Sequence, residues 1–367
     1  MMITYEEKLA KLLCDYSLKV KKGDVVEIRG ESCAEPLIRA CYVYLLKIGA
    51  YPIVKMSFPE QMYYFYKYAE KEQLDFIPEV SKTAAETIDA LIVIDSETNT
   101  RQLTNVDSKK VAINRKATRI LKDIMFEREA KGEFKWVLAP YPTPSMAQDA
   151  EMSFEEYKEF VFNACKLNYD DPVKEWQKVS EFQDKIVDLL TGKKELVIKG
   201  FKTELKLNVD GRKWINCNGN HNMPDGEVFT SPVEDSADGV IFFDVPTAFM
   251  GVEVQDIELH FEKGKVVKAT AKKGEEFLNR MLESDEGAKY VGEIAFGLND
   301  DIVKPSKNIL FDEKIGKTMH LAVGSSYPEA GGKNKSGLHW DLIKRMNNGG
   351  EVYVDGELVY KDGKFLI

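Results

Sequence analysis

Hydrophobic and polar positions change their rhythm about halfway along the chain. In the first half, short β-branched runs alternate with stretches of helical spacing. VVEIRG (25–30) is followed by PLIRACYVYLLKIGA, whose apolar positions recur at helical intervals and close on Gly49. YPIVKMS reads as the next strand, and PEQMYYFYKYAEKEQLDF (59–76) as one helix opened by Pro59. ALIVIDS (90–96) is a continuous apolar run, as in a strand covered on both faces, and a long helical stretch then leads to FKWVLAPYP. This β-α-β-α order implies a parallel sheet covered by helices.

After Asp170-Asp171-Pro172 the pattern shifts. A helix predicted over 173–190 gives way to short strands separated by turns: ELVIKG, TELKLNVDG, VIFFDVP and VEVQDIELHFEKGKVVKATA. The chain ends in EVYVDGELVYKDGKFLI, where two Asp-Gly turns divide alternating strands. The expected fold class is α/β, with an N-terminal parallel-sheet domain and a mostly antiparallel β-rich C-terminal domain, a curled sheet or barrel. The boundary is placed near residue 185, giving units 1–185 and 186–367. A length of 367 residues suits two domains better than one core.

Composition narrows the function classes. With 44% hydrophobic and 31% charged residues, the chain reads as a soluble globular protein. A formal charge of −10, with Lys and Arg dispersed, argues against nucleic acid or an anionic membrane surface as partner. No stretch reaches the length of a membrane span. Glu6 and Glu7 stand where a signal peptide needs positive charge, so a cytoplasmic location is expected. The five cysteines form no CxxC pair and read as scattered reduced thiols. No GxGxxG follows any strand, and AGGKNKS lacks both the glycine spacing and the Ser or Thr of a phosphate loop, so no nucleotide site is expected. The aromatic run Tyr63–Tyr66 suits core or interface, and core is the expectation.

Two of only four histidines, His320 and His339, fall within 20 residues of each other. His339 and Asp341 in LHWDL share one face if the segment is extended. Such a pair suits either two metal ligands or an imidazole held in one tautomer by its acid. His320 begins a further strand-like run and offers a second imidazole. Glu227 follows a Pro-Asp-Gly turn, and Glu293 follows Gly292; each is read as opening a strand. An acid so placed suits presentation into a cleft, although strand ends are also ordinary places for acids. His221 reads as a polar loop residue and His260 as a solvated strand residue.

Taken together, RKWINCNGNHNMPDGEVFTSPVEDSADG, GEIAFGLN, ILFDEKIGKTMHLAVGSSYPEAGGKNKSGLHWD and the closing hairpins resemble the M29 family of metallo-aminopeptidases, the aminopeptidase T and S group. The similarity spans essentially the whole chain. It implies a cocatalytic centre of two divalent metal ions (zinc, cobalt or manganese) held by Glu227, Glu293, His320, His339 and Asp341, with Glu293 bridging. It also implies Tyr327 and Glu313 as catalytic groups, peptides with a free N-terminus as substrates, and a homodimer. The readings set against it are a two-metal hydrolase of another amide or a phosphoester, and a non-catalytic metal- or peptide-binding protein.

Overall fold

A computed structural model describes residues 3–367. The chain forms two compact units, 1–173 with 219–223, and 174–218 with 224–367. The division precedes the predicted boundary near 185 because the helix beginning at Pro172 sends Ile186 and Leu190 into the core of the second unit.

In the first unit, helix α1 (Tyr5–Leu12) precedes strand β1 (Val25–Glu31), α2 (Glu35–Lys47) and β2 (Tyr51–Ser57). Next come α3 (Gln61–Tyr68), α4 (Lys71–Asp75), α5 (Glu79–Thr87), β3 (Ala90–Asp95), α6 (Ser108–Ala130) and β4 (Lys135–Pro140). The unit closes with α7 (Pro144–Asp149) and α8 (Phe154–Ala164). The four strands pair in parallel in the order β2-β1-β3-β4, as the βαβα reading implied.

The single helix expected over 59–76 is in fact α3 and α4. Ala69 and Glu70 are extended between them, and Glu70 begins a capping box with Gln73 that starts a new helix. Of the aromatic run, Tyr66 is buried in a small core while Tyr64 is exposed, so core placement applies to only part of it.

The second unit begins on α9 (Pro172–Leu190) and continues through β5 (Glu195–Gly200), β6 (Thr203–Asn208), β7 (Ile215–Cys217), β8 (Glu227–Thr230) and β9 (Asp238–Phe243). It goes on through β10 (Thr247–Phe249), β11 (Val252–Glu262), β12 (Lys265–Lys273), α10 (Glu275–Leu282), β13 (Val291–Gly297), α11 (Ile309–Asp312), β14 (Thr318–Gly324) and β15 (His339–Arg345). The closing hairpins are β16 (Glu351–Val354), β17 (Glu357–Lys361) and β18 (Lys364–Phe365). Instead of one curled sheet or barrel there are two open antiparallel sheets. One has nine strands, β10-β11-β9-β6-β5-β16-β17-β18 with β12 on β11; the other has five, β15-β14-β13-β8-β7.

The five-stranded sheet separates two chemistries by strand alternation. Val228, Ile294, Phe296, Met319, Leu321, Val323, Trp340 and Leu342 join the main apolar core. The intervening positions form the opposite face, and cross-strand register aligns them. Asp341 lies opposite Ala322, which lies opposite Glu293; His320 lies opposite Ala295; and Glu227 lies opposite Gly297. Ala295, Gly297 and Ala322 leave room between the longer side chains on this face.

Because β13 starts at Val291, Glu293 is its third residue instead of its opening one, and a β-bulge between Val291 and Glu293 re-aims its side chain. Gly292 sits in the bulge, where an added Cβ would stand 2.2 Å from the Ser325 carbonyl oxygen. Gly292→Ala should therefore lower stability by about 1–3 kcal/mol through overpacking. Denaturant unfolding would show it as a lower midpoint, and an unchanged midpoint would mean that the bulge has slack.

Candidate metal centre

Four neighbouring strands deliver five ionisable side chains to one place. Glu227 opens β8, Glu293 lies in β13, His320 in β14, and His339 and Asp341 share a face of β15. His320 is 1% exposed, Glu293 4%, and Glu227 and Asp341 6% each, so little water reaches the charges. Behind them, the buried Gln183 of α9 donates from Nε2 to the backbone carbonyls of Glu227 (3.0 Å) and Cys217 (2.9 Å), which anchors the β7–β8 end of the sheet.

Both imidazoles are oriented by backbone. His320 Nδ1 lies 2.9 Å from the Glu313 carbonyl oxygen, and His339 Nδ1 lies 2.8 Å from that of Ser325. A carbonyl only accepts, so Nδ1 is the donor in each ring, and a neutral ring turns its Nε2 lone pair toward the carboxylates. His320 Nε2 is 3.6 Å from Glu227 Oε2 and 3.6 Å from Glu293 Oε1. His339 Nε2 is 3.3 Å from Glu293 Oε2 and 3.5 Å from Asp341 Oδ1. Glu293 thus faces a different imidazole with each oxygen.

The donor set fits divalent cations. Glu227 Oε2 and Asp341 Oδ1 are buried with no hydrogen-bond partner, and in a protein interior such oxygens need a compensating charge. Ligand atoms of Glu293, His339 and Asp341 lie within 4.8 Å of one another. Carboxylate oxygens and imidazole nitrogens, without sulfur, suit zinc, cobalt or manganese.

In the metal-free protein, protons take up part of the deficit. Burial disfavours charge on His320, but the hydrogen bond to Glu293 and the charges of Glu227, Glu293 and Asp341 raise its pKa to about 10. The same contest, with Asp341 and Glu293 as partners, raises His339 to about 11. Burial pushes Glu293 and Asp341 up, yet the two imidazoles hold both below the usual carboxylate range. Glu227 and Glu313 stay above it, because burial outweighs the nearby Lys314.

Glu313 follows α11 directly. Asp312 fastens this corner by accepting from the backbone nitrogens of Ser306 (2.6 Å) and Lys307 (2.8 Å). The Glu313 side chain pairs with the Lys314 ammonium, and its charge also acts on Asp341 and Glu227. Tyr327 lies beyond β14, its ring edge-on to His339 at 5.2 Å between centroids and 5.0 Å from that of Phe229. All seven residues singled out in the sequence therefore belong to one cluster.

Sequence reasoning missed three neighbours. Lys314, wholly buried, stands 3.8 Å from Glu227 Oε1. Cys217 and Asp225 each offer a ligand atom within 4.8 Å of one from Glu227. Asp225 lies in the Pro-Asp-Gly turn already noted, whereas nothing local in the sequence marks Lys314 as buried. His221 and His260 stay apart from the cluster, each paired with a glutamate, Glu129 and Glu258.

The M29 family, described as thermophilic metalloprotease, matches residues 4–365. The chain belongs to the M29 family of metalloproteases. It is 28% identical to aminopeptidase 2 of Geobacillus stearothermophilus over 405 residues, covering 98% of this chain and 94% of that one. It is 27% identical to aminopeptidase AmpS of Bacillus subtilis, with the same coverage. The solved structure of wild-type AmpT from Thermus thermophilus superposes with a TM-score of 0.84 at 25% identity, covering 99% of each chain. M29 membership thus carries divalent metal use, in keeping with the orphaned oxygens.

The raised imidazole pKa values have a stability consequence. An unfolded histidine titrates near 6.5, so in the metal-free protein the two imidazoliums contribute stability fully below about pH 6.5. That contribution is lost as pH rises through about 10 and 11. The melting temperature of metal-stripped protein should fall steadily from neutral pH toward pH 10, and metal loading near neutrality should release a proton from each of His320 and His339. Calorimetry in buffers of different ionisation enthalpy counts those protons; release of none would mean that the rings are already neutral.

Proposed function

We propose that this protein is a metallo-aminopeptidase that hydrolyses the N-terminal peptide bond of peptides at a centre of two divalent cations. The observation that carries the reading is Glu293, whose two oxygens face different imidazoles, each fixed by a backbone carbonyl. That arrangement suits a carboxylate shared by two cations, with Glu227 and His320 on one side and His339 and Asp341 on the other. What bound cations supply is Lewis acidity and a water acidic enough to be a nucleophile near neutral pH.

The chain's own groups do the rest. Burial keeps Glu313 above the usual carboxylate range, closer to the working pH of a general base. It takes the proton of the attacking water and returns it to the leaving amine. Tyr327, whose phenol is pushed upward by burial and by the surrounding carboxylates, stays protonated and donates to the oxyanion that develops on the scissile carbonyl. The carboxylate-rich wall favours a free α-amine, which an internal peptide bond lacks. Among the described residues, the basic side chain in contact with the site's carboxylates is Lys314, already paired, so nothing here favours a phosphoester substrate.

A homodimer is part of the same proposal. Exposed apolar side chains on α2 (Tyr42, Val43, Leu46) and on the edge strand β2 (Tyr51, Ile53, Met56) support it. Light scattering should return twice the chain mass; a monomer at micromolar concentration would remove this part.

Metal-stripped protein should hydrolyse aminoacyl-p-nitroanilides only after Zn²⁺, Co²⁺ or Mn²⁺ is restored, and not when the substrate amine is acetylated. Equal hydrolysis of the acetylated substrate would end the aminopeptidase reading. Tyr327→Phe should lower kcat about 10²–10³-fold with metal content unchanged. Asp341→Ala should lose metal as well as activity, and full occupancy in that variant would exclude Asp341 as a ligand.

A further inference from the structure

Lys314 is 0% exposed, although a lysine is rarely buried so completely without partners. Its ammonium pairs with Glu313 Oε1 and stands 3.8 Å from Glu227 Oε1. On the same side, Cys217, Asp225 and Glu227 bring a thiol and two carboxylates within 4.8 Å of one another. That donor set would suit a thiophilic divalent cation. Glu227 belongs to both arrangements: its carboxylate is one corner of this trio and also stands 3.8 Å from the Lys314 ammonium.

Glu227 is thereby divided between two cations. Its Oε1 faces Lys314, while Oε2 has no hydrogen-bond partner and lies 3.6 Å from His320 Nε2. Glu313 is paired with the same ammonium.

We propose that Lys314 is a built-in cation: it occupies the Cys217–Asp225–Glu227 pocket, leaves Glu227 one oxygen for metal, and keeps Glu313 a base instead of a ligand. Lys314 is a positioning residue in this account, which rests on the two-metal reading above. Removing the ammonium should open a third cation site containing sulfur. It should also weaken the intended site, as loss of a ligand's supporting partner does by about 10–100-fold.

The test is cobalt titration of metal-stripped protein, followed by absorbance and by mass spectrometry of the bound metal. Wild-type protein should take up about two equivalents without thiolate-to-cobalt charge-transfer absorption, matching the paired site that metal clamps of this kind use. Lys314→Met should bind a further cobalt with that absorption, which should vanish in the Cys217→Ser/Lys314→Met double variant. Its kcat should fall about 10–100-fold with a smaller change in KM. Should the methionine variant fold poorly, Lys314→Ala with added ethylammonium keeps the question answerable, because a free amine in the vacated space should restore kcat and abolish the sulfur signal. A folded Lys314→Met with wild-type cobalt uptake, no sulfur signal and unchanged kcat would overturn the inference and leave the two-metal reading standing. Wild-type protein that takes up no cobalt would sink both.

Discussion

Burying like charges together is costly unless something opposite is buried with them, and the five-stranded sheet is built around that constraint. The buried Glu227, Glu293 and Asp341 share one face with the buried His320 and the partly exposed His339, and Glu313 and Lys314 adjoin it. The opposite face of the same strands packs into the main apolar core. Because that core holds the strands in register, the charged face cannot spread apart to rehydrate. The remaining compensation comes from protons in the metal-free protein and from divalent cations in the reading proposed here.

The site is precise because its parts are held by backbone as much as by side chains. Both imidazoles donate to carbonyls, α9 ties the β7–β8 pair through Gln183, and Asp312 binds the corner that carries Glu313 and Lys314. A bulge at Gly292 aims Glu293. Carboxylates on strands of a packed sheet move less than carboxylates on loops, so the positions of Glu227, Glu293 and Asp341 are set by the sheet itself.

Membership of the M29 family and the superposition on AmpT agree with this architecture over nearly the full chain. The residues legible in the sequence were those whose neighbours along the chain already hinted at chemistry: an HxD on an extended segment, an acid after a Pro-Asp-Gly turn, an acid after glycine. Their motifs carried the family resemblance as well. Less legible were features whose meaning depends on distant chain, such as the break between α3 and α4 set by the Glu70–Gln73 capping box, and the start of the second unit at α9.

The strand alternation in GEIAFG, TMHLAVG and HWDLI by itself determined that each segment carries large apolar residues on one face and its ionisable residues on the other, because the period of two is a local property of extended chain. Only the tertiary structure decided that these strands are neighbours in the order β15-β14-β13-β8-β7, which brings residues more than a hundred positions apart onto one face. It alone decided that Lys314, one of 51 basic residues, is buried between carboxylates while others stay in water. Burial of a charge is a property of everything packed around it, and no stretch of neighbouring sequence contains that information.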